Sequence, residues 1–328
     1  MNRKERPMEQ PQGKERWDLL AEMAHLYYNE HLTQAQIGER LGTTRFKVSQ
    51  YLLDAREEGV VEILIHLPDN RNRQMERRLM DRFGLRQALV LNNRYLSHGE
   101  TLRQLGRMAS EELARQLSPG DRMGVSWGKT VQSLLPAMGD GAFPAVELLP
   151  LNGWASLENP TLEAGALAQA MAGACGGKAG VFPAPLYIQG KQLRQDLWAQ
   201  PALMGLREAY GRMKAAVTGI SSTSTLAVRH PLWRQYLSPP LEGELVGSVF
   251  GRLLGPQGRR DDGPLERRLM AVPEEALLST PCRMGIALGR HKGAAVAAAL
   301  RSGLVNLLVT DVSLALAVLA EEERDSRQ

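Results

Sequence analysis

Two stretches of this 328-residue chain hold residue types that could do chemistry at useful spacing. The first is Gly124-Val125-Ser126-Trp127-Gly128-Lys129-Thr130. An apolar run ends at Val125, and a helix is expected to open at Gly128–Thr130. Hydroxyls, exposed N–H groups and the Lys129 ammonium would then gather at a helix N-terminus, which makes an anion site. The glycine spacing of a nucleotide-binding P-loop is missing, so that reading is excluded. Taken alone, the string also fits an ordinary strand-to-helix turn. The second stretch runs from Thr43 to Gln50. Val48, Leu52 and Ala55 recur on one helical face, while Arg45, Lys47, Ser49 and Gln50 point away from it, with Phe46 near the start. Arginine and lysine donate to guanine edges, and glutamine pairs with adenine. Thr33, Gln34, Thr43 and Thr44 stand at expected helix N-termini, where hydroxyls and N–H groups bind phosphates. A generic three-helix unit with a solvated polar face has the same periodicity. Residues 1–60 carry nine Lys/Arg against ten Asp/Glu, so bulk charge does not decide between the two.

The elements that must position these residues follow from the pattern. Leu19, Leu20, Met23, Ala24 and Tyr27 form a helical stripe. Thr33 and Gln36 have the capping-box spacing that opens a short helix, which stops at Gly42. A third helix opens at Thr43 or Thr44 and ends at Gly59. Two short helices joined by a tight turn form a helix-turn-helix. The β-branched run Val60–Leu67 predicts a strand. From about residue 87 the rhythm changes. Strands are expected at Ala88–Leu91, Arg122–Val125, Val146–Leu149, Ala179–Phe182, Ala215–Thr218, Met284–Leu288 and Val305–Val309. Helices are expected at Glu100–Leu117, Thr130–Met138, Leu162–Ala174, Gln192–Gln200, His291–Arg301 and Val312–Ala320. This alternation predicts an α/β fold with a mostly parallel, Rossmann-like sheet, whose ligands sit at the carboxyl ends of strands. The expected organisation is a disordered tail over 1–16, a helix-turn-helix domain over 17–68, a linker helix over 69–86 with six arginines from Arg71 to Arg86, and the α/β domain over 87–322.

Composition bounds the classes. Apolar residues make up 43% and charged residues 23%, which is globular, with a formal charge of +4. That charge permits a nucleic-acid partner without requiring one. Cys175 and Cys282 are the two cysteines, so a disulfide scaffold is excluded and two core thiols in a cytoplasmic protein are expected. The six histidines include no i+3 or i+4 pair, so a helical zinc motif is absent. The apolar runs fall short of the ~20 residues of a membrane span, and the polar N-terminus has no signal-peptide core. Neither a metal nor a cofactor is expected.

The string from Leu26 to His66 closely resembles the helix-turn-helix of the bacterial SorC-type sugar-binding transcriptional regulators. The resemblance is carried by Leu26-Tyr27-Tyr28, Leu32-Thr33-Gln34, Ile37, Leu41-Gly42, Arg45, Val48-Ser49 and Ala55 to Ile63. Phe46, Lys47 and Gln50 depart from residues common in the family. The α/β half is similar too. Gly124 to Thr130 looks like the family's phosphate loop. Leu149 to Gly153, Phe182 to Pro185, Thr218 to Ser222 and Gly303 to Asp311 match further motifs. The resemblance implies a sugar-phosphate isomerase-like domain used as a sensor, a phosphorylated sugar effector, a double-stranded DNA operator, and a homotetramer or homodimer. It implies effector contacts from Ser126, Trp127, Gly128, Lys129, Thr130, Asn152, Gly153, Gly219, Glu244 and Lys292. Glu244 stands in Gly243-Glu244-Leu245 where the family often has an aspartate, and Leu288, Arg290 and His291 alter the turn that carries Lys292.

The chain is therefore expected to be a DNA-binding regulator and not an enzyme. The alternative is a sugar-phosphate isomerase or deaminase carrying a DNA-binding head. That chemistry needs a carboxylate base beside the substrate carbon, and Glu244 and Asp311 are the candidates near strand ends.

Overall fold

The computed structural model describes residues 14–61, 70–139, 141–155, 158–224, 245–260, 263 and 265–325. It divides into two compact units, Met1–Pro68 and Asp69–Gln328. Among the described residues no helix is long and apolar enough to cross a membrane.

The first unit holds α1 (Lys14–Tyr28), α2 (Gln34–Arg40) and α3 (Arg45–Glu57). Thr33 caps α2 through a reciprocal capping box with Gln36, satisfying two N–H groups that the helix cannot. Thr44, and not Thr43, caps α3, its hydroxyl accepting the Lys47 N–H at 3.3 Å. The inward stripes of the three helices meet in one small core of Met23, Ala24, Leu26, Ile37, Val48 and Leu52. Arg16 ties α1 to the end of α3, with one guanidinium nitrogen 2.7 Å from both Asp54 and Glu58. Residues 1–13 of the expected tail lie outside the described residues, whereas Lys14–Arg16 already belong to α1. Most of the expected strand Val60–Leu67 also lies outside them.

The second unit is built on a seven-stranded parallel sheet. Its strands are β1 (Gln87–Leu91), β2 (Arg122–Val125), β3 (Glu147–Pro150), β4 (Lys178–Ala179), β5 (Met213–Gly219), β9 (Cys282–Ile286) and β10 (Leu307–Asp311). Between β5 and β9 come β6 (Ser221–Ser222), β7 (Gly247–Val249) and β8 (Arg252–Leu254), which form a separate antiparallel sheet. The spatial order of the large sheet is β1-β10-β9-β5-β2-β3-β4. Alternate side chains divide the core into two layers, as the pleat requires. Leu89, Leu91, Met123, Val125, Leu148, Val217 and Val309 pack on one face beneath α5 (His98–Gln116) and α7 (Ala164–Cys175). Ala88, Val90, Leu149, Ala216 and Leu308 pack on the other. That face is covered by α4 (Arg73–Phe83), α9 (Pro201–Tyr210), α11 (Gly293–Arg301) and α12 (Val312–Asp325). The short helices α6 (Lys129–Gln132), α8 (Lys191–Trp198) and α10 (Glu274–Ser279) complete the set named here.

Three expectations need correction. The segment 69–86 is not a linker helix. Leu79 of α4 is fully buried in the sheet's core, and Glu76, 4% exposed, accepts two bonds from Arg71 (2.7 and 2.8 Å) and the N–H of Val90 in β1 (3.0 Å). A buried carboxylate so engaged fixes α4 to the first strand. The expected strand Ala179–Phe182 shortens to Lys178–Ala179, because Phe182 leaves the edge to pack edge-on against Trp198, with ring centroids 5.7 Å apart. The expected helix Thr130–Met138 breaks after Gln132 into a separate turn at Leu135–Ala137, where Pro136 supplies no N–H.

Candidate functional site

In the first unit, the surface opposite the core is presented by α3. Arg45, Phe46, Lys47 and Gln50 are exposed, Ser49 is half-buried, and Val48, Leu52 and Ala55 are buried. Thr44 and Thr33 are exposed at the N-termini of α3 and α2, with Gln34 half-buried beside the latter and Thr43 half-buried beside the former. Gln50 donates to Asp54 at 3.1 Å within α3. The arrangement is a helix N-terminus with hydroxyls at its caps, cations in its first turn and an amide one turn later. It can bind phosphates and donate to base edges.

In the second unit, the residues expected to bind an effector gather where the sheet's connections diverge. From β2 the chain moves outward to β3 and β4, and from β5 it moves outward the other way to β9 and β10. Such a divergence opens a crevice at the carboxyl ends of the two strands. Ser126-Trp127-Gly128 leaves β2 into it, and α6 opens at Lys129. Gly128 has φ +111°, a conformation reserved for glycine, and its N–H donates to Leu162 at 3.0 Å. The first N–H groups of α6 have no intrahelical acceptors. Lys129 is exposed and Thr130 half-buried. Gly219 closes β5 directly opposite. A Cβ there would stand 2.6 Å from Thr130 Oγ1, so the absence of a side chain is what lets the hydroxyl in. Lys292, from the turn before α11, donates to the Ile220 carbonyl at 3.1 Å. Thr130, Gly219 and Lys292 thus meet at one strand end.

Ser126 and Asn152 are buried in a polar chain behind this loop. Ser126 Oγ donates to Asn152 Oδ1 (2.9 Å), and Asn152 Nδ2 donates to the Phe250 carbonyl (3.2 Å). Phe250 itself is fully buried with φ +51°, a conformation costly for a large side chain by about 1–3 kcal/mol. Its N–H is held by Thr218 Oγ1 at 3.2 Å, so both its backbone groups are fixed by strand-end side chains. Gly153 is pinned by a bond to the Met270 carbonyl and leaves no room for a Cβ, which would lie 2.6 Å from the carbonyls of Ala184 and Pro185. Trp127, half-buried, packs on Leu245, Leu253 and their neighbours. Thr218 stands in one of the motifs that carry the resemblance, but no local pattern shows that it holds the Phe250 turn, since β5 and the β7–β8 turn are far apart in sequence.

Glu244 lies outside the described residues. Asp311, the other carboxylate, is 1% exposed. It accepts the N–H groups of Ser313 (2.9 Å), Leu314 (3.2 Å) and Gly289 (3.4 Å), so it caps α12 and holds the turn that carries Lys292. Leu288 is buried in the core layer under α5, while Arg290 and His291 are exposed. A cleft of about 680 Å³ between α8–α9 and β8–α10 is separate from this cluster. Its charges answer one another. Burial lowers the pKa of Arg252, whose carbonyl partners and the nearby Glu266 and Glu274 (3.7 and 3.8 Å) compensate it.

Comparison with known proteins agrees with the architecture. Residues 68–320 match the model of the Sugar-bind family, a sugar-binding domain. The chain is 32% identical over 313 residues to the transcriptional regulator LsrR of Enterobacter sp. (strain 638), covering 92% of this chain and 93% of the relative. It is 28% identical over 303 residues to the sorbitol operon regulator of Klebsiella pneumoniae, covering 89% and 95%. The crystal structure of the full-length sorbitol operon regulator SorC from Klebsiella pneumoniae superposes with a TM-score of 0.67 at 25% identity, over 93% of this chain and all of that one. A family model that matches residues 68–320 and a 32% identical regulator aligned over 92% of the chain place it in the SorC-type family of sugar-binding transcriptional regulators.

Proposed function

We propose that operator affinity in this regulator is set by a phosphorylated sugar bound at the ends of β2, β5 and β9. The observation that carries the reading is that the Thr130 hydroxyl, at the start of α6, and the Lys292 ammonium meet beside Gly219–Ile220. These are donors, and a phosphate is all acceptor. Ser126, Asn152 and Gly153 shape the loop from behind, and Trp127 forms one wall. In the first unit, α3 enters the major groove with Arg45, Lys47, Ser49 and Gln50 toward base edges, while Thr33, Gln34, Thr43 and Thr44 contact phosphates. The effector acts by binding one arrangement of a homo-oligomer better than another, and the two arrangements differ in affinity for DNA. Paired heads require a palindromic or repeated operator. Asp311 is committed to capping α12, which supports a sensor over an isomerase.

A thermal-shift screen of the full-length protein against matched sugars and sugar phosphates tests the effector reading. A ligand that binds the folded state raises the midpoint by mass action. A hit among the phosphates, lost in Lys292→Ala, supports the site. A free sugar that stabilises equally well, or a phosphate hit unchanged by Lys292→Ala, sinks it.

A further inference from the structure

Within the reading of α3 as the DNA-contacting helix, on which this step rests, we infer that Phe46 reads the C5-methyl of a thymine in the major groove. Phe46 is 80% exposed, whereas Met23, Ile37, Val48 and Leu52 of the same unit are buried. At 100° per residue, Phe46 lies about 150° round α3 from the buried stripe of Val48, Leu52 and Ala55, and Arg45 only about 50° from it. The phenyl ring is thus the side chain of the first turn that points straight out, with Arg45 and Lys47 on its flanks.

The charge along the helix decides which end enters the groove. The far end carries Asp54, Glu57 and Glu58 against Arg56 and the Arg16 that pairs with Asp54 and Glu58, a small net negative charge, and the near end carries Arg45, Lys47 and the Thr44 cap. Phosphates repel the first and attract the second, so the reading face is the N-terminal turn. There a phenyl ring can neither donate nor accept on a base edge. Thymine is the base that presents a methyl group in the major groove, and aromatic contact with that methyl is the readout open to it. Gln50 on the same face already commits one of its two amide hydrogens to Asp54. Phe46 has no polar group to commit, and its exposed ring is available for its contact.

The test uses full-length protein and the duplex most enriched by selection from a random-sequence pool. Each thymine in that duplex is replaced in turn by deoxyuridine, which removes the methyl and nothing else. One replacement is expected to weaken wild-type binding about fourfold, the factor for one buried methyl-sized group. Phe46→Ala should bind the thymine and uracil duplexes equally, and Phe46→Leu should keep part of the preference. Both variants should unfold at the wild-type temperature, since the residue is exposed. The inference is overturned if Phe46→Ala keeps the full thymine preference, if no thymine matters to the wild type, or if Phe46→Ala weakens all duplexes alike. A selection that enriches no sequence overturns the DNA-contact reading itself, and this inference with it.

Discussion

Gly219→Ala should make a folded protein that responds poorly to its effector. The added Cβ would stand 2.6 Å from Thr130 Oγ1 and 3.8 Å from the Trp127 carbonyl. The first distance is about 0.8 Å short of ordinary van der Waals contact, so one partner must move. Gly219 ends a parallel strand paired with β9, so its backbone is fixed, whereas Thr130 is a half-buried side chain that can turn about χ1. Turning it off its present rotamer costs about 0.5–1.5 kcal/mol, which moves the melting midpoint of a unit this size by only a few degrees. The hydroxyl, however, leaves the place where a phosphate oxygen would accept from it. A hydrogen bond to a charged group contributes about 1.5–3 kcal/mol, or roughly 10–150-fold in Kd. Thr130→Ala removes the same hydroxyl with no clash and should lose the same factor. The two changes together should lose no more than either alone, since the methyl then meets no oxygen. Isothermal titration with the sugar phosphate found by the screen, over all four proteins, measures the cycle. Gly219→Ala binding as tightly as wild type would show that Thr130 does not touch the effector. Full additivity would show that the clash is not the cause.

Arg45→Ala should weaken specific operator binding by about 1–3 kcal/mol and relax the preference at one base, and electrophoretic mobility shifts on the selected duplex and its point variants measure both. Unchanged affinity would remove Arg45 from the readout. Arg71→Ala should destabilise the second unit by about 2–4 kcal/mol in urea unfolding. That is less than a fully buried pair would lose, because Arg71 keeps 22% exposure and Glu76 keeps the Val90 N–H and Arg73 at 3.6 Å. A loss below about 0.5 kcal/mol would mean that the pair behaves like one on the surface. Burial pushes the Cys282 thiol up to about 11, so a thiol reagent at pH 8 should label half-buried Cys175 and spare Cys282 until the chain unfolds. Because the unfolded thiol ionises near its ordinary value while the folded one keeps its proton, stability should fall as pH rises from about 9 to 11. That slope should shrink in Cys282→Ala, and an unchanged slope would assign the loss to other groups.

Local rules made the head legible and fell short at the crevice, for one physical reason. A capping box is settled within four residues, so Thr33 and Gln36 announce α2 from sequence alone. Apolar alternation is settled within one strand, so Arg122–Val125 is found where it is expected. The role of α4 is settled by Glu76, whose partners are Arg71 five residues away and the N–H of Val90 in the next strand. Met75, Leu79 and Phe83 do form an apolar stripe at i, i+4 and i+8, but beneath a surface of arginines it does not say which unit it packs on, and the segment looks like a solvated linker. β6, β7 and β8 span two or three residues each, too few for any period to show. Asn152 is the sharpest case. A buried asparagine after a strand end is the right residue to meet a sugar hydroxyl, and its type gives no hint that both ends of its amide are already engaged. Ser126 donates to one, and the other donates to Phe250 across 98 residues of chain. Those two bonds hold the Ser126 loop and the strained Phe250 turn in register. A polar residue at a switch point fits ligand and scaffold equally well until its partners are known, and the two partners of Asn152 are both parts of the scaffold.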